Sequence, residues 1–333
     1  MPTIVPRLAR VFLALALVAL ALPLPATAAE KLSTLRLDWA YYSPVSLVLR
    51  DKGWMEQEFA KDGIHVEWVL SLGSNKALEF LNGDSIDFGS SAGAAALMAK
   101  ANGVPIKAVY VFDKPEWTAL VTLKDSPIHT VKDLRGKRIA VTRGTDPHIF
   151  LLRALALNGM KSEDVKMVLL QHPDGRVALE RGDVDAWAGL DPYMAETELE
   201  KGSRLFFRDP DLNTYGFLNT REAFAAAHPD IVERVLAVYE RARKWSIAHP
   251  AELRAVVAKA GKLTDAVAAK DLERNDLSSG MIGKRQRDCI VAAGDVLKQS
   301  GIIPADTDIA KTADALIDPQ YIVRVTQRLE AGR

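Results

Sequence analysis

Apolar and polar positions along the chain fall into two alternating rhythms. From Leu35 to Ala40 apolar residues alternate with Arg36 and Asp38, the period of a half-buried strand. Val45, Val48, Leu49, Met55 and Phe59 then fall on one face at helical spacing, which predicts a helix closed by Gly63. The pattern next predicts a strand over His65–Ser71, a helix over Asn75–Leu81 and a turn at Asn82-Gly83-Asp84. A strand at Ile86–Ser90, a small-residue helix at Gly93–Lys100 and a strand at Ile106–Phe112 follow. The rhythm restarts after Pro115, with strands over Trp117–Lys124, Lys137–Val141, Val165–Leu170 and Val184–Ala188. Helices over Ile149–Leu157, Arg176–Glu180 and Pro192–Lys201 are interleaved with them. This alternation predicts an α/β protein with parallel-rich sheets flanked by helices. From Glu222 the reading is nearly all helix: Glu222–Ala248, Ala251–Ala258, Asp265–Leu272, Lys284–Gln299 and Pro319–Leu329.

One stretch echoes another. Ala77-Leu78-Glu79, Gly83-Asp84 and Ile86-Asp87-Phe88 return as Ala178-Leu179-Glu180, Gly182-Asp183 and Val184-Asp185-Ala186. Each reads as helix, Gly-Asp turn, buried strand, and suggests two similar halves. The turn aspartates are expected to be solvated rather than to hold a metal.

The first 29 residues have the layout of a secretory signal peptide. Arg7 and Arg10 precede the apolar run Val11–Leu22, and Ala26-Thr27-Ala28-Ala29 supplies a small-residue cleavage site. An uncleaved anchor is the alternative, disfavoured because the run is shorter than the ~20 apolar residues a span needs. The reading implies an exported, periplasmic chain, with no Cys near the site to carry a lipid.

Composition narrows the function classes. The 43 basic and 43 acidic side chains balance, so nothing announces nucleic acid as a partner. A single Cys, Cys289, excludes disulfide frameworks and Cys-rich metal sites, and reads as a buried helical thiol. The six His show no metal spacing; His148, near a helix start, reads as a structural residue rather than a catalytic one. G-x-G-x-x-G, G-x-x-x-x-G-K-[ST] and G-x-S-x-G are all missing from the sequence. No cofactor, no metal and no catalytic residue are expected.

The candidate chemistry lies where strands hand over to helices. Ser43-Pro44, Asp146-Pro147 and Asp191-Pro192 share one grammar, an N-cap residue followed by Pro at the first helical position. Gly73-Ser74-Asn75 and Ser90-Ser91-Ala92-Gly93 carry hydroxyls at two further starts. In open α/β sheets ligands bind beyond the carboxyl ends of strands, where helix N-termini present free N–H groups to anions. Starts drawn from both halves predict a ligand cleft between them. Tyr41-Tyr42 lies between a strand and a helix start, so at least one ring is expected to face that cleft. Trp117 stands where the chain crosses between halves; Trp187, in a buried-strand pattern, reads as core.

Several of these segments resemble a known family. Gly144-Thr145-Asp146-Pro147-His148 followed by Phe150-Leu151-Leu152-Arg153-Ala154-Leu155 resembles a motif of the aliphatic-sulfonate-binding proteins. Asp185-Ala186-Trp187-Ala188 with Asp191-Pro192-Tyr193, and Gly83-Asp84-Ser85-Ile86-Asp87-Phe88-Gly89-Ser90, resemble two others. The likeness, from about Leu35 to Asn219, is to periplasmic substrate-binding proteins of ABC importers for sulfonates, taurine and nitrate. It implies the two-lobed type II binding-protein fold: residues 30–114 with 215–333 as lobe one, 115–214 as lobe two, crossing near Asp113–Trp117 and Asp209–Tyr215. It also implies a monomer that closes on a small anion or zwitterion and docks on an inner-membrane permease. Residue by residue, Ser74, Ser91, Ala92 and Thr145 would contact the anion, and Tyr41, Tyr42 and Trp117 would line its organic part, with Ser43 beside them.

Asp146 departs from the small hydroxyl residues common at its place. A capping Asp fills the positive end of its own helix, so Asp146, with Asp191, is expected to meet a ligand ammonium or hydroxyl. Some relatives are enzymes that cleave carbon–sulfur bonds with a Cys near the N-terminal cleft, or make pyrimidines with a Cys cluster. Here Tyr41-Tyr42-Ser43 stand in that region, which favours a binding protein over an enzyme. A sensor domain for a signalling partner, and carriage of nitrate, an aromatic acid or a thiamine-precursor pyrimidine, are the remaining alternatives.

Overall fold

The computed structural model describes residues 32–332, so the signal-peptide reading lies outside the described residues. Ser33–Arg333 clusters as one unit built around two sheets. The first sheet begins with β1 (Thr34–Trp39), then α1 (Pro44–Lys52), α2 (Trp54–Phe59), β2 (His65–Leu70), α3 (Ser74–Asn82), β3 (Phe88–Ala92), α4 (Gly93–Ala101) and β4 (Ile106–Pro115). The chain then enters the second sheet through β5 (Leu120–Thr122), followed by β6 (Arg138–Val141), α5 (Asp146–Leu157), β7 (Lys166–Leu169), α6 (His172–Arg181), β8 (Ala186–Ala188), α7 (Tyr193–Lys201) and β9 (Arg204–Phe207). It returns to the first sheet through β10 (Gly216–Arg221). There follow α8 (Glu222–Ala227), α9 (Pro229–Ala248), α10 (Pro250–Gly261), α11 (Asp265–Leu272), β11 (Asn275–Asp276), α12 (Lys284–Gln299), α13 (Ile309–Leu316) and α14 (Gln320–Ala331).

The sheets run β2-β1-β3-β10-β4-β11 and β7-β6-β8-β5-β9. In each, three strands from successive β-α units pair in parallel, and one strand from a crossing of the chain pairs antiparallel: β10 between β3 and β4, β5 between β8 and β9. The sheets are therefore mixed. A β-α rhythm sees only local units; the antiparallel strand in each is placed by the chain's arrival from the other half.

The sequence echo has a shared physical cause. Asp87 accepts the backbone N–H of Arg36 on the neighbouring strand at 2.8 Å and pairs with its guanidinium, which also reaches the Asp84 carbonyl. Asp185 accepts the backbone N–H of Arg138 at 2.8 Å and its guanidinium at 3.1 Å, and Arg138 reaches the Gly182 carbonyl. Asp87 is not a solvated turn carboxylate: it is buried and also takes Arg221 at 2.6 Å. Asp185 remains partly exposed.

Three further differences have local causes. Gly53, at φ 62°, breaks the expected helix between Val45 and Phe59 into α1 and α2. His228 leaves helical geometry ahead of Pro229, which splits Glu222–Ala248 into α8 and α9. The β10 strand escaped the pattern because polar Asn219 and Thr220 are buried in it. Asn219 Nδ2 donates to the Gly89 carbonyl at 3.1 Å and Ser91 Oγ at 2.9 Å; Thr220 Oγ1 donates to the Asp87 carbonyl at 2.8 Å. Trp187 is core, fully buried with Val121, Leu179 and Met194, whereas Cys289 is only half-buried. No helix among the described residues is long and apolar enough to cross a membrane.

Candidate functional site

The crossings between the sheets run side by side. Asn213 holds them together: its Oδ1 accepts the Thr118 N–H at 2.9 Å and its Nδ2 donates to the Asp209 carbonyl at 3.0 Å. Lys114, at the end of β4, donates to the carbonyls of Pro210 and Asn213. Beside these crossings a narrow cavity, with about 10 Å³ of water-accessible space, lies between the two halves. Tyr42 and Ser74 line it from the first-sheet side and Trp117 from the first crossing; Thr145, Asp146 and Pro147 line it from the start of α5. His172, the first residue of α6, and Leu190 complete the wall.

Five of the candidate residues thus meet: Tyr42, Ser74, Trp117, Thr145 and Asp146. Tyr42 packs its ring edge-on to Trp117 at 5.6 Å and donates its hydroxyl to the Ser90 carbonyl at 3.1 Å. Burial holds that phenol well above its usual pKa, so it stays protonated. Ser74 Oγ accepts the Ala92 N–H at 2.9 Å, leaving its proton free to donate. As first residues of α3, Ser74 and Asn75 have N–H groups without intrahelical partners. Thr145 is the N-cap of α5, and its hydroxyl donates back to the Thr142 carbonyl at 2.6 Å.

Asp146 does not cap its helix. It is the first residue of α5, and its carboxylate accepts from three donors on the crossings: Trp117 Nε1 at 2.8 Å, the Thr214 N–H at 2.9 Å and Thr214 Oγ1 at 2.8 Å. Thr214 Oγ1 in turn accepts the Ala94 N–H of α4 at 3.2 Å. The carboxylate joins α5 and both crossings, and through Thr214 α4, with three of its roughly four acceptor positions taken.

The other candidates lie outside the cavity wall. Asp191 is buried in an ion pair with Arg274 at 3.0 Å and accepts the Ala195 N–H of α7 at 2.8 Å. Burial lifts its pKa to about 6 even against the pull of Arg274. The pair joins the second-sheet half to the segment after α11, with Glu198 as a second partner of the same guanidinium. Ser91 accepts from Asn219 and donates to the Ala92 carbonyl, inside the first sheet. Ala92 has given its N–H to Ser74. Ser43 is the N-cap of α1, but its buried hydroxyl has no partner among the described residues. Tyr41 stands edge-on between Trp39 at 5.3 Å and Tyr193 of the other half at 6.4 Å, a contact between the halves.

His172 was missed. Its signal was present: Pro173 follows it after a predicted strand, the same grammar that marked Asp146-Pro147. Among the described residues no cluster of His, Cys, Asp or Glu is arranged to hold a metal.

Comparison with known proteins fits this geometry. The NMT1/THI5 like family matches residues 45–253, from α1 into α10, which takes in both crossings, the second sheet and all of the first but β1 and β11. The chain belongs to the NMT1/THI5-like family. Within reach of that family, the chain is 33% identical over 210 residues to a putative aliphatic sulfonates-binding protein of Escherichia coli, and 30% identical over 206 residues to one of Bacillus subtilis. These alignments cover 62% and 61% of this chain, and the chain spans 66% and 62% of the respective relatives' length. Among solved structures, the alkanesulfonate-binding protein SsuA from Xanthomonas axonopodis pv. citri, bound to MOPS, superposes with a TM-score of 0.78 at 26% identity, covering 85% of this chain and 99% of that one. The fold of this family member is accordingly that of the periplasmic binding proteins.

Proposed function

We propose that this protein is the solute-binding component of an ABC importer, and that it captures an organosulfonate between two closing lobes. In this reading residues 30–114 and 215–333 form lobe one and 115–214 lobe two, the crossings act as the hinge, and the closed form docks on an inner-membrane permease. The chain is exported to the periplasm, works as a monomer and catalyses no reaction.

One observation carries the reading. The cavity joins the start of α3, with the free Ser74 hydroxyl and unpaired first-turn N–H groups, to the Tyr42 and Trp117 rings. Hydroxyls and helix-start amides suit a diffuse oxyanion, and rings suit a short carbon chain. The sulfonate-binding names of the relatives support the ligand class. As it stands the cavity has room for about one water, ~10 Å³ of water-accessible space, so in this reading the lobes part to admit the ligand. Closure follows from contacts made only when the lobes meet.

A thermal-shift panel tests this, using ethanesulfonate, taurine, aromatic sulfonates, MOPS, sulfate, nitrate and pyrimidines on protein stripped by partial unfolding. A ligand at 100 times its Kd adds about 2.7 kcal/mol, a rise in Tm of roughly 5 °C. A shift confined to short sulfonates supports the reading. A shift with nitrate or a pyrimidine alone keeps the carrier role and discards the sulfonate.

A further inference from the structure

His172 is fully buried, lines the cavity, and brings its Nε2 up to Gly73 at the start of α3. Its other nitrogen is committed. Thr142 Oγ1 donates to the Leu170 carbonyl at 2.7 Å and lies 3.1 Å from His172 Nδ1. A hydroxyl has one proton, and it is given to Leu170; Nδ1 must therefore carry its own proton and donate to Thr142. In the neutral ring Nε2 is then a bare lone pair. Among the described residues it has no hydrogen-bond partner.

An anion on the first turn of α3 would lie beside that lone pair and be repelled by it. Moving the ring proton from Nδ1 to Nε2 would break the Thr142 arrangement, leaving two oxygens 2.7 Å apart without a proton between them or Nδ1 without a donor. Adding a proton instead keeps the Nδ1–H bond and turns Nε2 into a donor. We propose that His172 takes up a proton from solvent as an anionic ligand enters the cavity, so that Nε2–H donates to the anion and anion capture is linked to proton uptake. This rests on the sulfonate reading only for the choice of anion.

The surroundings agree. Asp146 of α5 carries the only formal charge among the described cavity-lining side chains. Ahead of α3, Gly73 approaches without charge, and the protonated Tyr42, from the lead-in to α1, shares the cavity wall. On α6 itself Asp174 is exposed and Arg176 pairs with Glu196. Without an anion, burial holds the imidazole down to about 3, and its place at the positive end of α6 acts in the same direction, so the ring starts neutral.

Isothermal titration of ethanesulfonate at pH 7, in phosphate and in Tris, reads the protons exchanged. The expected result is uptake of about one proton per ligand, with affinity rising by about threefold to tenfold per pH unit from pH 8 to 6. His172→Gln should bind with no uptake and no pH dependence. Thr142→Val, which frees the neutral Nε2–H tautomer, should lower the uptake while keeping binding. Nitrogen-15 spectra of His172 should show Nε2 bare in the free protein and both nitrogens protonated in the complex. Ethanesulfonate bound without proton uptake would overturn the proposal. So would taurine bound without uptake in place of ethanesulfonate, since His172 would then accept from the ammonium. If sulfonates fail while nitrate or benzoate binds with uptake, the sulfonate reading falls and the role of His172 stands. If no anion binds, both fall.

Discussion

The indole N–H of Trp117 donates to Asp146 Oδ2 at 2.8 Å, tying the first crossing between the halves to the start of α5. The same oxygen accepts the Thr214 N–H of the second crossing, and both crossings are thereby fixed to one buried carboxylate. Asp146→Ala strips three donors of their charged acceptor and should cost about 2–4 kcal/mol in urea unfolding. Asp146→Asn should cost less, because an amide oxygen keeps one or two of the bonds. If Asp146→Ser changed ligand preference while leaving stability intact, the carboxylate would be reading ligand after all.

Gly73 faces the His172 ring of the other half. A Cβ there would stand 3.0 Å from His172 Nε2 and 3.1 Å from Cδ2, on a ring pinned by Thr142. Gly73→Ala adds no backbone strain, since its φ of 173° is open to any residue, so its cost is that of the displaced ring. Displacing the ring off its rotamer costs about 0.5–1.5 kcal/mol, so ligand affinity should fall roughly threefold to tenfold. Small-angle scattering with ligand should show a less compact particle than the parent.

The two Arg–Asp clamps share a geometry and differ in burial. Asp87 is 1% exposed and serves Arg36 and Arg221; Asp185 is 32% exposed and serves Arg138 alone. Removing a buried partner strands charge, whereas water compensates an exposed one. Asp87→Ala should cost about 3 kcal/mol and Asp185→Ala about 1 kcal/mol or less, measured side by side in urea.

Two buried groups tilt the pH profile in opposite senses. Burial, helped by Arg143, holds His148 down to about 4, below its unfolded value near 6.5. Its neutral form thus contributes stability that is present above about pH 6.5 and lost as pH falls through about 4. Burial lifts Asp38 to about 7 despite two hydrogen bonds from Ser90. Its contribution is present below about pH 4 and lost as pH rises through about 7. Each slope is at most about 1.4 kcal/mol per pH unit. Relative to the parent, His148→Asn should gain stability on acidification from pH 6.5 to 4, and Asp38→Asn should gain it from pH 4 to 7. Urea midpoints across that range check both.

The strands and helices that alternate from Leu35 to Lys201 were legible because burial on one face imposes a period of two or 3.6 on consecutive residues. The Pro-marked junctions were legible too, since capping and the missing proline N–H act within a turn. Thus Tyr42, Ser74 and Asp146 could be picked out as neighbours of helix starts and Trp117 as part of a crossing before any fold was known, while Thr145 came from the family resemblance. What those side chains face could not. The partners of Asp146 lie 29 and 68 residues away, and Asp191 is held by Arg274 at a separation of 83. The buried strand β10 carries Asn219 and Thr220, which no hydrophobic period marks as interior. Local pattern determines which elements form. Whether a buried polar atom is spent on the protein or left for a ligand is decided by which distant donors the tertiary fold brings to it.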